Sequence, residues 1–282
     1  MKWCDNLSNL HTHTLFCDGK NSPEEMVCSA IEKGLSVLGF SGHSMYPFSS
    51  DWHIASKEHK NYCDEIKRLK DKYKEKLFIE LGFEADYIPG LCAPVFSNFS
   101  EFAPEFLIGS VHYIYNEKKM FAIDNTPQEL IDGINNVFGG NVKNAISHYF
   151  SMQREMLASG SFTIIGHPDL IRKFNTKINL FDENEIWYKK ELEATADAIK
   201  RSGVIAEINT GAIARGHMND AYPSDYFLSL LHERNVPITI SSDAHAANAI
   251  DSAFDFAQQK AKKAGYKEIA VPKAGSVIFL DL

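Results

Sequence analysis

Three things are scarce in this 282-residue chain: paired cysteines, surplus basic charge and long apolar runs. The cysteines number five (Cys4, Cys17, Cys28, Cys63 and Cys92), an odd count with no C-x-x-C pair. At this length that excludes a disulfide framework and points to reduced thiols in a cytoplasm. Acidic residues outnumber basic ones, 37 to 29, for a formal net charge of −8. Surfaces that grip polyanions rest on many Lys and Arg contacts, so nucleic acid is excluded as the expected partner. The lysine-rich stretch from Lys57 to Lys76 is interleaved with Glu58, Asp64, Glu65, Asp71 and Glu75, and reads as the solvated face of a helix. No segment approaches the ~18 apolar residues of a membrane span. Asp5 and the polar "NLSNLHTH" interrupt any signal-peptide core. The expectation is a soluble cytoplasmic protein with no membrane partner. Internal repeats, low-complexity tracts and Pro/Ser-rich linkers are also missing, which leaves one domain over residues 1–282.

What is present is alternation. Short apolar runs lie near Leu7–His11, Ser36–Phe40, Leu77–Phe83, Phe106–Val111, Phe162–Ile165, Val204–Ile208 and Pro237–Ile240, separated by longer helix-patterned segments. A weaker pair follows at Glu268–Val271 and Val277–Leu280. Ser22-Pro23-Glu24-Glu25 supplies an N-cap serine, a proline at the first helical position and a capping-box glutamate, with Gly34 to close the helix. Thr126-Pro127-Gln128-Glu129 repeats the device, and Asp182 is expected to open the helix ending at Arg201-Ser202-Gly203. Such alternation predicts parallel βα units, arranged as a closed barrel or an open sheet.

The residues just past each run carry the chemistry. They read His11-x-His13, Gly42-His43, Glu84-Ala85-Asp86, Ser110-Val111-His112, Gly166-His167-Pro168-Asp169, Asn209-Thr210 and Ser242-Asp243-Ala244-His245. Residues i and i+2 of a strand face the same way, so His11 and His13 can aim two imidazoles at one point while Asp18 returns from the next loop. Active sites of parallel α/β folds lie at these C-terminal strand ends, and seven strands feeding one rim favour a barrel. By contrast His53, His59, His148, His217 and His232 fall in helices or loops and read as structural or surface residues, although His53 beside Trp52 has a route to the site. Mixed nitrogen and oxygen donors without thiolate suit zinc, manganese or iron better than calcium or magnesium.

The order H-x-H, D, H, E, H, GH-x-D, S-D-A-H over residues 11–245 resembles the polymerase and histidinol phosphatase (PHP) family. "GHPDLIRKF" and "EINT" followed by Ala214-Arg215 further resemble its monofunctional histidinol-phosphate phosphatase branch. The resemblance implies a distorted, TIM-like (β/α)7 barrel with two to three divalent transition-metal ions (zinc, iron or manganese) at the C-terminal rim. It implies one ion on His11, His13, Glu84 and Asp243. Glu84 would bridge to a second, completed by His112 and His167, and Asp18, His43 and His245 would hold a third. It also makes Arg172 and Arg215 the phosphate grips. Asp169 is expected to orient a metal ligand from behind rather than to bind metal, and Cys17 to pack.

Three such ions would outweigh the charge of Asp18, Glu84 and Asp243 and leave a cationic hole suited to a small phosphomonoester, even in an acidic protein. Metal-bound hydroxide held by Glu84 and Asp243 is expected to attack phosphorus. Asp243 and His245 are the candidate general acids, and Glu207 is either a contact for the substrate amine or structural. The branch implies an enzyme of histidine biosynthesis, a histidinol-phosphatase releasing L-histidinol and phosphate. The alternative within the fold is a phosphatase or phosphodiesterase for another small metabolite or a nucleotide. An amidohydrolase also opens on H-x-H, but here Glu84 takes the bridging place of its lysine. A non-catalytic PHP module fits less well, because all nine ligand positions are intact.

Overall fold

The computed structural model describes residues 7–116 and 119–282, so Cys4 and Asp5 lie outside the described residues. Seven parallel strands run in sequence order around a ring: β1 Ser8–Asn9, β2 Val37–Phe40, β3 Phe78–Asp86, β4 Phe106–Ser110, β5 Ile164–Ile165, β6 Ile205–Asn209 and β7 Ile238–Ser241. A two-residue strand, His43–Ser44, adds to the upper part of β3 in register with Glu84 and Ala85. The open-sheet option falls at the seam. Just past β1 and β7, Thr12 bridges Ala244, with His13 N donating to Ala244 O at 2.9 Å and Ala244 N to His11 O at 3.1 Å. The architecture is the nearly closed, TIM-like α/β barrel that the strand-end residues favour and the resemblance implies.

The inside of the ring is tight because two strands give up a side chain there. A Cβ on Gly82 would sit 2.5 Å from the Phe106 ring, and one on Gly39 would sit 2.7 Å from it, so both glycines make room for that ring. Leu10, Phe106 and Ile108 are fully buried.

The helices begin where local chemistry satisfies their free N–H groups. Pro23–Glu32 carries the full capping box between Ser22 and Glu25, and Gly34 follows with φ +76°. Pro127–Phe138 is capped by Thr126, but Glu129 turns to the Asn125 side chain instead of back to the cap. Helix His59–Tyr73 buries Tyr62, Cys63, Ile66 and Leu69 and turns its charges outward, where Arg68 pairs with Glu65 and Glu24. Asp182 does not open the next long helix. It accepts from Asn184 N at 2.8 Å in a local turn, which delays the helix to Ile186–Ser202. The weaker strand pair forms an antiparallel hairpin, Glu268–Lys273 with Ser276–Asp281, outside the ring, and its turn reaches Glu80 through Ala274 N at 2.6 Å. Cys17, Cys28, Cys63 and Cys92 are free thiols. Among the described residues, no helix is long and apolar enough to cross a membrane.

Candidate metal centre and active site

The strand ends converge on one carboxylate. Glu84, near the end of β3, is fully buried, and its two oxygens face five imidazoles. Oε2 lies 3.0 Å from His11 Nε2, 2.8 Å from His43 Nδ1 and 3.6 Å from His13 Nε2. Oε1 lies 2.9 Å from His167 Nε2 and 3.3 Å from His112 Nε2, and accepts from Ser110 Oγ at 2.7 Å. Across the seam, Asp243 Oδ1 is 3.1 Å from His13 Nε2 and 3.5 Å from His245 Nδ1. Asp18 completes the mouth, 3.0 Å from His245 Nε2 and 3.7 Å from both His13 Nδ1 and His43 Nε2. All nine predicted ligand positions therefore share one place.

The donor atoms fall into overlapping groups. His13 joins Asp18, His43 and His245; His11 and His13 join Asp243; Glu84 joins His11 with His167 and, separately, His43 with His112. The physical reason is spacing: His43 lies within reach of two carboxylates and His11 and His13 of three each, so none belongs to one group alone.

The electrostatics are those of a site built around cations. His11 Nε2, His13 Nε2, His43 Nδ1 and Glu84 Oε2 are buried and crowd to 2.8–3.1 Å from one another or from Asp243 without the alignment of a hydrogen bond, an arrangement that is costly unless something else sits among them. Burial alone would raise the Glu84 carboxyl, but His11, His43 and His112 hold it well below the usual range. Burial and the neighbouring His245 and His43 push His13 well below an ordinary imidazole, so it offers lone pairs. Nitrogen and oxygen donors at this density fit divalent transition-metal ions. Two site residues are also strained: His167 and Asp243 adopt φ of +23° and +51°, conformations costing about 1–3 kcal/mol each.

Two carboxylates behind the cluster were not legible as such. Glu207, in β6, is fully buried, with Oε1 2.6 Å from His11 Nδ1 while Oε2 accepts from His167 N at 2.8 Å. It is an orienting group, not a contact for substrate. Asp86 stands 2.5 Å from His112 Nδ1 and 2.6 Å from His53 Nε2, so His53 belongs to the site's support. Each fixes which imidazole nitrogen faces inward. Asp169, expected in that role, instead accepts from Ser224 N at 2.7 Å and faces Arg172 at 3.7 Å, because the chain turns away from the rim after His167. Cys17 packs as expected, and burial pushes its thiol up to about 12.

Beside the cluster lies a cavity of about 260 Å³, whose outer wall is Trp52, Ala122, Asp124, Asn125, Leu170, Lys173, Arg215 and His217. Arg215 donates to Asp243 O at 2.8 Å and Asp243 Oδ2 at 2.9 Å. Arg172 does not line the cavity. Its guanidinium is taken up by Glu183 at 2.9 Å and Asp220 at 3.1 Å, and its neighbour Lys173 faces the cavity in its place. His217, read from sequence as structural, also lines the cavity; burial and the nearby Lys173 and Arg215 lower it to about 4, which keeps it neutral.

Comparison with known proteins matches this geometry to a family. Residues 9–211 match the PHP domain. The chain belongs to the PHP domain family. It is 27% identical over 266 residues to the "Probable histidinol-phosphatase" of Deinococcus radiodurans, covering 93% of this chain and 95% of that protein. It is 26% identical to the histidinol-phosphatase of Bacillus subtilis over 264 residues, 87% of this chain and 96% of that one. The crystal structure of histidinol phosphate phosphatase from Lactococcus lactis, complexed with zinc, L-histidinol and phosphate, superposes with a TM-score of 0.73 at 21% identity, covering 96% and 98% of the two chains.

Proposed function

We propose that this PHP protein is a metal-dependent phosphomonoesterase that hydrolyses L-histidinol phosphate to L-histidinol and phosphate, a step of histidine biosynthesis. One observation carries the chemistry: imidazoles and carboxylates on six strand ends converge on the buried Glu84 and Asp243 beside a cavity lined by Arg215 and Lys173. The substrate follows from near full-length similarity to histidinol-phosphatases.

His11, His13, Glu84, His112, His167 and Asp243 would hold two ions in the depth of the site, and Asp18, His43 and His245, with His13, a third at its mouth. Zinc, iron and manganese suit these donors. Bound ions would supply positive charge to the phosphate and bring the pKa of a coordinated water down toward about 7. The chain's own groups do the rest. Arg215 presents a planar fork to the phosphate oxygens while it pins Asp243, and Lys173 adds a second cation on the same wall. Burial would raise the Asp243 carboxyl, but Arg215 and His11 hold it well below the usual range, so it stays ionised.

The test is phosphate release by protein loaded with zinc or manganese, on histidinol phosphate beside nucleoside and sugar monophosphates, with metal content by elemental analysis. A clear preference for histidinol phosphate is expected. Equal, slow turnover of all would favour the broader PHP phosphatase reading.

A further inference from the structure

The antiparallel hairpin outside the ring has two edges, and they differ. In the register of Glu268–Lys273 against Ser276–Asp281, Leu282 N donates to Lys267 O at 3.0 Å. That bond sets the alternation of the ladder. Ile278 and Leu280 turn their N–H and C=O toward the inner strand, and Val277, Phe279 and Asp281 turn theirs away from it. Among the described residues, nothing accepts from those three N–H groups, and no third strand joins the hairpin. The opposite edge is shut. Pro272, paired with Val277, turns a nitrogen that carries no proton to that side, and Ile269, Ala270, Val271 and Pro272 are all buried.

The open edge lacks the devices that keep an edge strand single. Ser276–Asp281 reads SVIFLD and pairs without a bulge, and it holds neither lysine nor proline. On the face turned from the barrel Val277 is 45% exposed and Phe279 56%, while Ile278 and Leu280 pack against the core. This edge is complementary to itself. A two-fold axis through Phe279 sets Phe279 against its own copy and Val277 against Asp281, so each of the three N–H groups finds a carbonyl. Asp281 and its cross-strand neighbour Glu268 then lie at the far end of the junction from their copies. An axis at Asp281 would oppose two carboxylates, and one at Val277 would carry Phe279 and Asp281 past the start of the copy's strand.

We propose that the protein associates with a second copy of itself through this edge, the two outer strands pairing antiparallel about Phe279 to join the hairpins into one four-stranded sheet. Because the other edge of each hairpin is shut, association stops at two copies. The hairpin turn meets the barrel at Glu80, near the start of β3, whereas the metal cluster gathers at the other end of that strand around Glu84, so each copy keeps its cavity open. One pair of short strands buries less than the ~1,200 Å² of a standard interface, so the dimer forms and dissociates with concentration.

The experiment is sedimentation velocity on the full chain, from low micromolar to near-millimolar protein. Wild type should pass from monomer to dimer and no further. Phe279→Lys and, as a second variant, Val277→Lys should each weaken the dimer at least roughly ten-fold while circular dichroism stays unchanged, since both side chains point to solvent in the single copy. In Phe279→Cys the paired Cα atoms would stand about 5.5 Å apart, within disulfide reach, so mild oxidation should give a covalent dimer that wild type does not. Wild type that stays monomeric throughout overturns the proposal. So does a dimer that both lysine variants leave at wild-type strength, because it must then use another face, and so does growth beyond two copies.

Discussion

Replacing Glu207 by glutamine tests how the metal centre is organised, since the change alters charge and not size. Glu207 accepts from three donors: His11 Nδ1 at 2.6 Å through Oε1, and His167 N at 2.8 Å and Asn209 Nδ2 at 2.9 Å through Oε2. A glutamine amide has one oxygen. With its NH2 toward His11, Nδ1 must become the acceptor, the proton moves to Nε2, and the nitrogen facing Glu84 can no longer bind metal. With the NH2 turned the other way, it meets the His167 N–H and the Asn209 amide, and a buried donor is left unsatisfied at a cost of about 1–3 kcal/mol. Either orientation predicts a loss in metal affinity of about 10- to 100-fold, as expected for a group supporting a metal ligand. Competitive titration with a chromogenic chelator reads this directly, apart from turnover. Asp169→Asn is the control and should stay within about threefold of wild type, since Asp169 touches Ser224 and Arg172 and not a metal ligand. Unchanged zinc affinity in a folded Glu207→Gln protein would refute the reasoning.

Glu84→Gln should abolish phosphate release while circular dichroism shows a folded barrel; residual turnover above about 1% would remove Glu84 from the chemistry. Arg172→Leu removes the cation facing the buried Asp169, while Asp220 keeps Lys260 and Glu183 keeps Asn175, so a loss of about 3 kcal/mol is expected in denaturant unfolding, with KM little changed because Arg172 is off the cavity. Burial, and then the neighbouring Glu105, raises the Glu80 carboxyl to about 7. The native state thus holds a proton that the unfolded chain has released, so this group's contribution is full below about pH 4.5 and is lost as pH rises through 7. Glu105 moves the opposite way and offsets part of it. Stability measured from about pH 5 to 8 should fall less steeply in Glu80→Gln, and an identical slope would count against the assignment.

The parts of the site on strand ends were legible because the two-residue side-chain period and the apolar run before it fix which way a residue faces. His11, His13, Glu84 and Asp243 all meet that condition. Loop residues do not. Arg172 and Lys173 are neighbours on one short turn, where a shift of one position decides between a nest of carboxylates and the cavity. Trp52, Asp124 and His217 reach the cavity through tertiary packing that leaves no local period. Glu207 and Asp86 were visible as acids near strand ends, but their work behind His11 and His112 depends on contacts across the ring. Parallel βα units followed from alternation and the barrel from donors at seven successive strand ends, whereas the late start of helix Ile186–Ser202 turned on one side-chain hydrogen bond at Asp182.

The seam where Thr12 meets Ala244 makes the catalytic centre a product of ring closure. His11 and His13 stand on one lip, Asp243 and His245 on the other, more than two hundred residues away along the chain. A nascent polypeptide that has completed six strands owns seven of the nine donors and still lacks Asp243 and His245, which face them across the seam. An ion seated across that junction would act as a clasp, so holding metal and holding the barrel shut become one thermodynamic event.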